Sequence, residues 1–516
     1  KENKNNINKL EARIALDEET KNQIITNLEK CKAIKMDIQS ENIFIDKDGY
    51  FSDTRRLITS RSLSNLKVFN YPTIEYKIDT RDTINNSLIA NITLNPKKRA
   101  LFNPSIDINH SNIQDFGIQG NVGFVFHNVF KGAEILDIGF RGNIGSSASK
   151  YRNDHNTFFD ILEYGADVKL TFPRFLFFSN QIDKIIDRTS FPNTTLSLGF
   201  FNQQNIGLDK QNVTSVYNYN WSYKRRNTLS LDVFNLQFIR NMNPDNYFRV
   251  YRSSYNRLNE IASRTENINE QYLDENGNLS IPNGGADAFI HDVLDGFNDV
   301  NATDEQAIRS ISERKQRLTE NNLILASNLV YTYSNRFNIK DQDFITLKTK
   351  IESAGNMLNL VAKSSSKTNE FGKRTVFDVA YSQYIKGEVD FVKYFDLGNK
   401  NVLALRAFGG IAIPYGNSDN IPFSRSYFAG GTNDNRAWQS YRLGPGRSGG
   451  INDFNEANMK LAFTAEYRFN VTGKWNLALF ADAGNIWNTV DNVDDEEMMF
   501  KGIESLKDLA LGTGLG

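Results

Sequence analysis

The stretch IPFSRSYFAGGTNDNRAWQSYRLGPG, Ile421 to Gly446, decides how this chain is read. The Gly430-Gly431 pair, an Asn/Asp cluster and a Gly-Pro-Gly run cannot continue a helix or a central strand, so the stretch is a loop. Arg436, Trp438, Tyr441 and Arg442 are too large and specific for a slack linker. Something must therefore hold the loop down, and the next two segments suggest what. In MKLAFTAEYRF (Met459 to Phe469) the residues Met459, Leu461, Phe463, Ala465, Tyr467 and Phe469 share one face, opposite Lys460, Ala462, Thr464, Glu466 and Arg468. In the following segment Trp475, Leu477, Leu479, Ala481, Ala483 and Trp487 oppose Asn476, Ala478, Phe480, Asp482 and Gly484. Side chains alternate across a strand, so both carboxylates, Glu466 and Asp482, lie on the faces away from the apolar rows.

Outward from this region, strand follows strand. Alternation and turn residues place strands near 104–112, 116–130, 134–146, 158–175, 194–207, 212–224, 228–240, 323–336, 343–357, 376–397, 401–415, 458–471 and 475–488, with another starting at 509. Leu162, Tyr164, Ala166, Val168, Leu170 and Phe172, for example, oppose Glu163, Gly165, Asp167, Lys169 and Thr171. Strands of soluble sandwiches usually run to about 5–6 residues. Repeated segments of about ten or more favour a transmembrane barrel. The connections alternate too: KGAE (131–134), KRRN (224–227), NKN (399–401) and TGK (472–474) are tight, while the intervening loops are long and polar, with 178–193 an exception. Near Phe234, Leu236 and Phe238 the apolar parity flips, which predicts a bulge or a strand end.

Composition agrees with a strand-rich chain. With 516 residues there is room for two or three domains, and 37 Phe and 21 Tyr against 10 Pro suit strands with aromatic girdles. No run reaches the ~18 apolar residues of a membrane helix. A mean hydropathy of -0.49 fits a barrel as well as a soluble protein, because a barrel shows lipid only alternate residues. A net charge of -1 gives no electrostatic reason to expect nucleic acid. The single cysteine, Cys31, excludes an intrachain disulfide framework or a cysteine-based zinc site. His110, His127, His155 and His291 are scattered, so neither a metal centre nor a hydrolase is expected, and no cofactor is. DKDG (46–49), DENGN (274–278) and the acidic run 494–497 read as turns and surface.

Ahead of the barrel, residues 1–41 read as a helical or partly ordered segment at the end of an upstream module, and 42–100 as a small α+β domain. In that domain a short strand (Asn42 to Ile45) leads to a helix capped by Ser52 and reaching about Leu66. Two strands follow, marked by Ile74, Tyr76, Ile78 and by Leu88, Ala90, Ile92, Leu94. The barrel domain is 101–516, with a large charged insertion at 241–322, helical near 288–297 and 304–318, and the lumen-folded loop at 417–457. No signal peptide opens the chain, and LALGTGLG ends it within a strand, so both native ends are expected beyond this sequence.

The α+β module running into a long-stranded barrel, the loop GGTNDNRAW and the FADAG strand resemble the BamA/TamA superfamily of outer-membrane assembly proteins. The wording PFSRSYFAGGTNDNRAWQSYRLGPG is most similar to its TamA-like lipoproteins of Bacteroidetes, TamL. The resemblance implies an all-β transmembrane barrel of sixteen antiparallel strands, the last of them beyond this chain, preceded by a POTRA-like domain in the periplasm of a Gram-negative bacterium. The family's sixth loop carries an Arg-Gly-aromatic motif; here it is Arg436-Ala437-Trp438, without the glycine. The family's F-x-D-x-G strand motif is met by Phe480, Asp482 and Gly484. The resemblance thus implies that Arg436 pairs with Asp482, with Glu466 as a second partner, and strand parity had already placed both carboxylates together. Such a clamp could stabilise the barrel, take part in gating, or do both.

It implies further a non-enzymatic insertase of the TamA type, whose first strand, Ser105 to Asn112, offers its edge to client strands. The seam residues would be Ser105, Ile106, Asp107, Ile108 and Asn109. Expected partners are unfolded outer-membrane client proteins, outer-membrane lipid and a TamB-like periplasm-spanning protein. Two alternatives stay open: a BamA-type core assembly factor or two-partner secretion pore, and a passive outer-membrane channel or receptor.

Overall fold

The computed structural model describes residues 42–516 apart from 47–49, 81–86, 111–113, 148–160, 177–185, 187, 205–208, 224–225, 267, 364–366, 370–371, 450–454, 474, 492 and 494. The expectations for 1–41, most of the DKDG turn, the turn at 83–86, most of the 178–193 connection, His155 and Asp494 fall outside the described residues.

Among the described residues, fourteen strands form one antiparallel sheet in chain order. They are β3 (Ala100–Asn109), β4 (Gln114–His127), β5 (Ile135–Ser147), β6 (Ile161–Phe172), β7 (Asn193–Gln204), β8 (Lys210–Tyr223), β9 (Asn227–Asn241), β10 (Asn322–Ser334), β11 (Ile345–Ala354), β14 (Tyr384–Gly398), β15 (Asn401–Pro414), β16 (Met459–Thr472), β17 (Trp475–Trp487) and β18 (Ala510–Leu515). The connectivity is that of an up-and-down transmembrane barrel. Edges of the sheet are β3 and β18, which share no ladder among the described residues. The two faces are inverted relative to a soluble protein. Leu198 and Ile351 on the outer face are 58% and 60% exposed, whereas Glu352 and Asp482 on the inner face are buried. Only a hydrocarbon surround makes that arrangement favourable.

Three expected strands differ most from those observed. The first barrel strand starts at Ala100, ahead of the expected 104–112, and runs through Pro104, which lies opposite Val122 of β4. The segment 376–397 divides: a two-residue hairpin, β12 (Thr375–Val376) and β13 (Val379–Ala380), precedes β14, which begins at Tyr384. Asn42 to Ile45 are not a strand. Their polar groups bond a helix instead, through Phe44 N–H to Thr59 Oγ1 (3.0 Å) and Ser62 Oγ–H to Asn42 Oδ1 (2.6 Å). The parity flip in β9 is a bulge. Asp232 pairs with Asn218 and Phe234 with Tyr217, leaving Val233 over, and its carbonyl accepts from Ser327 Oγ at 2.7 Å.

The N-terminal unit is α1 (Asp53–Asn65) packed on a hairpin of β1 (Phe69–Ile78) and β2 (Leu88–Pro96). Ser52 Oγ caps α1 by accepting from Arg55 N–H. Leu63, Leu66, Val68 and Phe69 bury themselves together with Ala133, which belongs to the β4–β5 turn of the barrel. That turn is held rigid by the buried carboxylate of Glu134. It accepts from Phe130 N–H (3.3 Å), Gly132 N–H (2.7 Å) and Arg174 Nη2 (3.1 Å). We expect Glu134→Ala to cost about 1–3 kcal/mol by stranding these donors. The effect would show as faster amide hydrogen exchange in 128–134 and in α1, with strand protection elsewhere unchanged; unchanged exchange in α1 would mean the turn does not hold the module.

At the opposite rim, the insertion between β9 and β10 is a helical cap of α2 (Tyr247–Val250), α3 (Arg252–Ala262), α4 (Gly285–Leu294) and α5 (Ala302–Thr319). It has its own core, including Tyr247, Phe248, Leu258, Ile261, Phe289 and Ile308. A further short helix, α6 (Asn356–Ala362), follows β11 at the same rim.

Candidate functional site: an arginine clamp inside the barrel

The β15–β16 loop turns inward. Its apolar residues Ile421, Tyr427, Ala429, Leu443 and Ala457 form one buried cluster with wall residues Ile324, Ala326, Ala354, Tyr384, Ala412 and Ile486. The loop is paired with itself at Tyr427–Ala457 and Ala429–Leu443, so it descends as a narrow double strand. Its tip, 430–438, meets the wall of β16, β17 and β18.

Arg436 is the centre of that contact. Its Nε donates to Asp482 Oδ2 (2.8 Å), its Nη2 to Asp482 Oδ1 (2.9 Å) and its Nη1 to Glu466 Oε2 (2.6 Å), while its backbone N–H also reaches Asp482 Oδ2 (3.1 Å). The planar fork makes the Asp482 pairing bidentate, which fixes direction as well as distance. The guanidinium carbon lies 3.6 Å from the centroid of the Phe480 ring, adding a cation–π contact on one face. Hydrogen bonding to Asp482, opposed by burial, holds Arg436 still more firmly in its charged form. Glu466 is shared with Arg468, whose Nε lies 2.6 Å from Oε1. The strand register explains the convergence: Glu466 pairs with Phe480 and Thr464 with Asp482, so the two carboxylates and the ring share one face of adjacent strands.

Other sequence-predicted residues take different places. Trp438 is partly buried against the loop cluster, and its carbonyl accepts from Gly431 N–H at 2.8 Å. Gly484 is not where the loop approaches; a Cβ there would meet the backbone of Leu461 and Ala462 on β16, at 3.1 Å and 3.4 Å. The glycine that admits the loop is Gly512 on β18, where a Cβ would lie 2.6 Å from Ala437 Cβ and 2.9 Å from Asn435 Oδ1. Ala437, standing where the resembled motif has glycine, therefore has its methyl group accommodated by a glycine on the facing strand. Asn435 Nδ2 donates to Ala510 O at 2.8 Å, which ties the tip to β18 directly. Lys460 reaches Asp434 Oδ1 (2.9 Å) and Phe428 O (2.7 Å), and Arg406 reaches Asn433 O (3.1 Å). Sequence reading missed Asp434, Asn435, Lys460 and Gly512. The alternating parity of β16 puts Lys460 on the same face as Glu466 and was the one available signal.

The seam residues Ser105 to Asn109 lie on β3, paired with β4 alone among the described residues. Ile106 and Ile108 point outward and are 80% and 75% exposed. Ser105 Oγ and Asp107 Oδ2 are both within reach of Asn121 Nδ2, at 3.2 Å and 3.4 Å.

A transmembrane barrel with a charged, inward-folded loop pinned to its late strands defines the class of this protein. Residues 354–516, which supply that loop and its anchors, match the Omp85 superfamily domain. Over 116 residues the chain is 31% identical to outer membrane protein assembly factor BamA of Neisseria meningitidis serogroup B (strain ATCC BAA-335 / MC58). That match spans 20% of this chain and 14% of that relative. Among solved structures, BamA from Haemophilus ducreyi lacking POTRA domains 1-3 is similar, with a TM-score of 0.54 and 11% identity over 94% of this chain and 76% of that one; this is a likeness of fold. CdiB from Acinetobacter baumannii gives a TM-score of 0.44 and 12% identity, over 94% of this chain and 65% of that one.

Proposed function

We propose that the chain is an outer-membrane protein assembly factor of the TamA type, set in the outer membrane of a Gram-negative bacterium with the α1–β2 module on the periplasmic side as a POTRA-like domain. The observation that carries this reading is the Arg436–Asp482–Glu466 clamp within the Omp85 superfamily domain. It holds the loop tip against β17 and β18, and in this reading the edge of β3 is the lateral seam. A strand edge displays a row of backbone donors and acceptors, so an unfolded client strand can add to β3 by β-augmentation and fold against it. The energy comes from the client, which gains backbone hydrogen bonds that hydrocarbon makes obligatory. No side chain needs to do covalent chemistry. In this reading the clamped loop sets the shape of the lumen wall beside the seam, outer-membrane lipid faces Ile106 and Ile108, and a TamB-like periplasm-spanning partner engages the module at the short-turn rim.

The test is disulfide trapping from a cysteine at Ile106 or Ile108 against cysteines along a nascent client barrel strand. Cross-links with a two-residue periodicity are expected, as strand pairing requires. Folded protein that captures no client, together with steady ion conductance in planar bilayers, would favour a passive channel instead.

A further inference from the structure

The Arg436 clamp grips only the loop tip. Where the loop begins, the one-turn helix Phe423–Arg425 stands between the helical cap and the opposite part of the barrel wall. Phe423 packs against the core of the cap and stacks on Tyr441 at 6.0 Å. Two residues on, Arg425 faces the wall. Its Nη1 is 3.7 Å from Glu352 Oε1 on β11, its Nη2 donates to Asn235 Oδ1 on β9 at 3.4 Å, and its carbonyl accepts from Lys386 Nζ on β14 at 2.8 Å. Glu352 is fully buried and also held by Lys350 Nζ (2.7 Å) and Tyr384 O–H (2.6 Å). The neighbouring Tyr427 donates to Glu388 Oε1 (3.1 Å). Burial first, then the Glu388 carboxylate, push the Tyr427 hydroxyl far above its ordinary range, so it stays a donor.

We propose that Arg425 is a second, independent anchor of the loop, a positioning residue that couples the helical cap to the β9–β14 wall and so keeps the cap seated over the lumen. The inference rests on the reading of the loop as an anchored element, but on different strands and different partners from those of Arg436. The geometry also sets its strength. An ion pair at 3.7 Å, one long hydrogen bond and an Nε with no hydrogen-bond partner among the described residues make a looser grip than the bidentate one at Asp482. Removing Arg425 leaves Glu352 its Lys350 and Tyr384 partners, so the barrel is expected to fold.

The cap side supplies the readout. Ser254 on α3 is buried and lines a cavity of about 750 Å³ between the cap and the loops below it, distant in sequence from Arg425. In the full chain with Cys31→Ser and Ser254→Cys, reconstituted in liposomes, the rate of maleimide labelling reports how often the cap lifts. Arg425→Ala is expected to raise that rate roughly tenfold, the effect of easing a local opening by one charge-assisted contact. Glu352→Gln should act in the same direction, and the double variant should add little, because both release one contact. Arg436→Ala, which frees the loop tip and spares the Phe423–Arg425 turn, should raise the rate clearly less than Arg425→Ala does. Phe423→Ala, which breaks the cap side and spares the wall, should match Arg425→Ala and decides the matter if that variant does not fold. Labelling unchanged by Arg425→Ala in folded protein overturns the proposal and leaves the Arg436 clamp untouched; labelling raised equally by Arg436→Ala would show one anchor rather than two.

Discussion

Arg436→Ala is expected to destabilise the barrel by about 3–5 kcal/mol, the range for removing one member of a buried, hydrogen-bonded ion pair. The reason is what stays behind. The Asp482 side chain is 1% exposed and would lose two side-chain donors, while Glu466, 15% exposed, keeps Arg468. An uncompensated carboxylate then sits under a displaced loop, and the Phe480 ring loses the cation covering it. The measurement is heat-modifiable migration on a denaturing gel along a urea series, where the folded form of the variant should be lost at clearly lower urea. Arg442→Ala is the control. Its guanidinium makes no ion pair among the described residues, so the change should stay within about 0.5 kcal/mol. Equal losses for the two arginines would refute the clamp as the principal anchor.

The sequence carried the strands and the clamp because both are periodic facts. Two-residue alternation places Glu466 and Asp482 on one face whatever the rest of the chain does, and it reveals the β9 bulge as a change of parity. The groups that close the clamp from the loop side were legible in part: Arg436 stood out, but Asp434 and Asn435 read as ordinary turn residues. Their partners, Lys460 and the Ala510 carbonyl, are 26 and 75 positions away in the chain, and no local pattern links them. Gly512 was invisible for the same reason, since a glycine in a short terminal strand has meaning only once Ala437 is seen above it. Arg425 was passed over because its partners, Asn235, Glu352 and Lys386, come from three strands that the loop meets only in space. Pro104 illustrates the opposite error. Taken as a strand start, it hid the four residues before it, although the β3–β4 ladder continues on both sides of Pro104.

Gly430→Ala is expected to release the loop tip without touching the charges of the clamp. Gly430 has φ +93°, a conformation L-residues rarely adopt, and its added Cβ would press on the backbone carbonyl of Gln439 and come within 3.2 Å of Trp438 O. Backbone atoms cannot rotate aside as a flexible side chain would. The strain alone is about 1–3 kcal/mol. Relief requires parting the two limbs of the loop, which breaks the Gly431 N–H to Trp438 O bond at 2.8 Å and shifts the Gly430 N–H away from Asp434 Oδ2, also 2.8 Å. Asp434 is the partner of Lys460, so the disturbance reaches β16 as well. Gly449→Ala separates this effect from conformational strain by itself, because Gly449 also has a positive φ, +73°, but an added Cβ there has nothing within 4 Å among the described residues. On the same urea series Gly430→Ala should lose the folded form well before Gly449→Ala. Combined with Arg436→Ala it should add less than its separate loss, since both variants free the same nine-residue tip. Full additivity would mean that the Gly430 turn and the Arg436 clamp hold separate parts of the loop, and indistinguishable glycine variants would mean that the two limbs of the loop are not closely packed at Gly430.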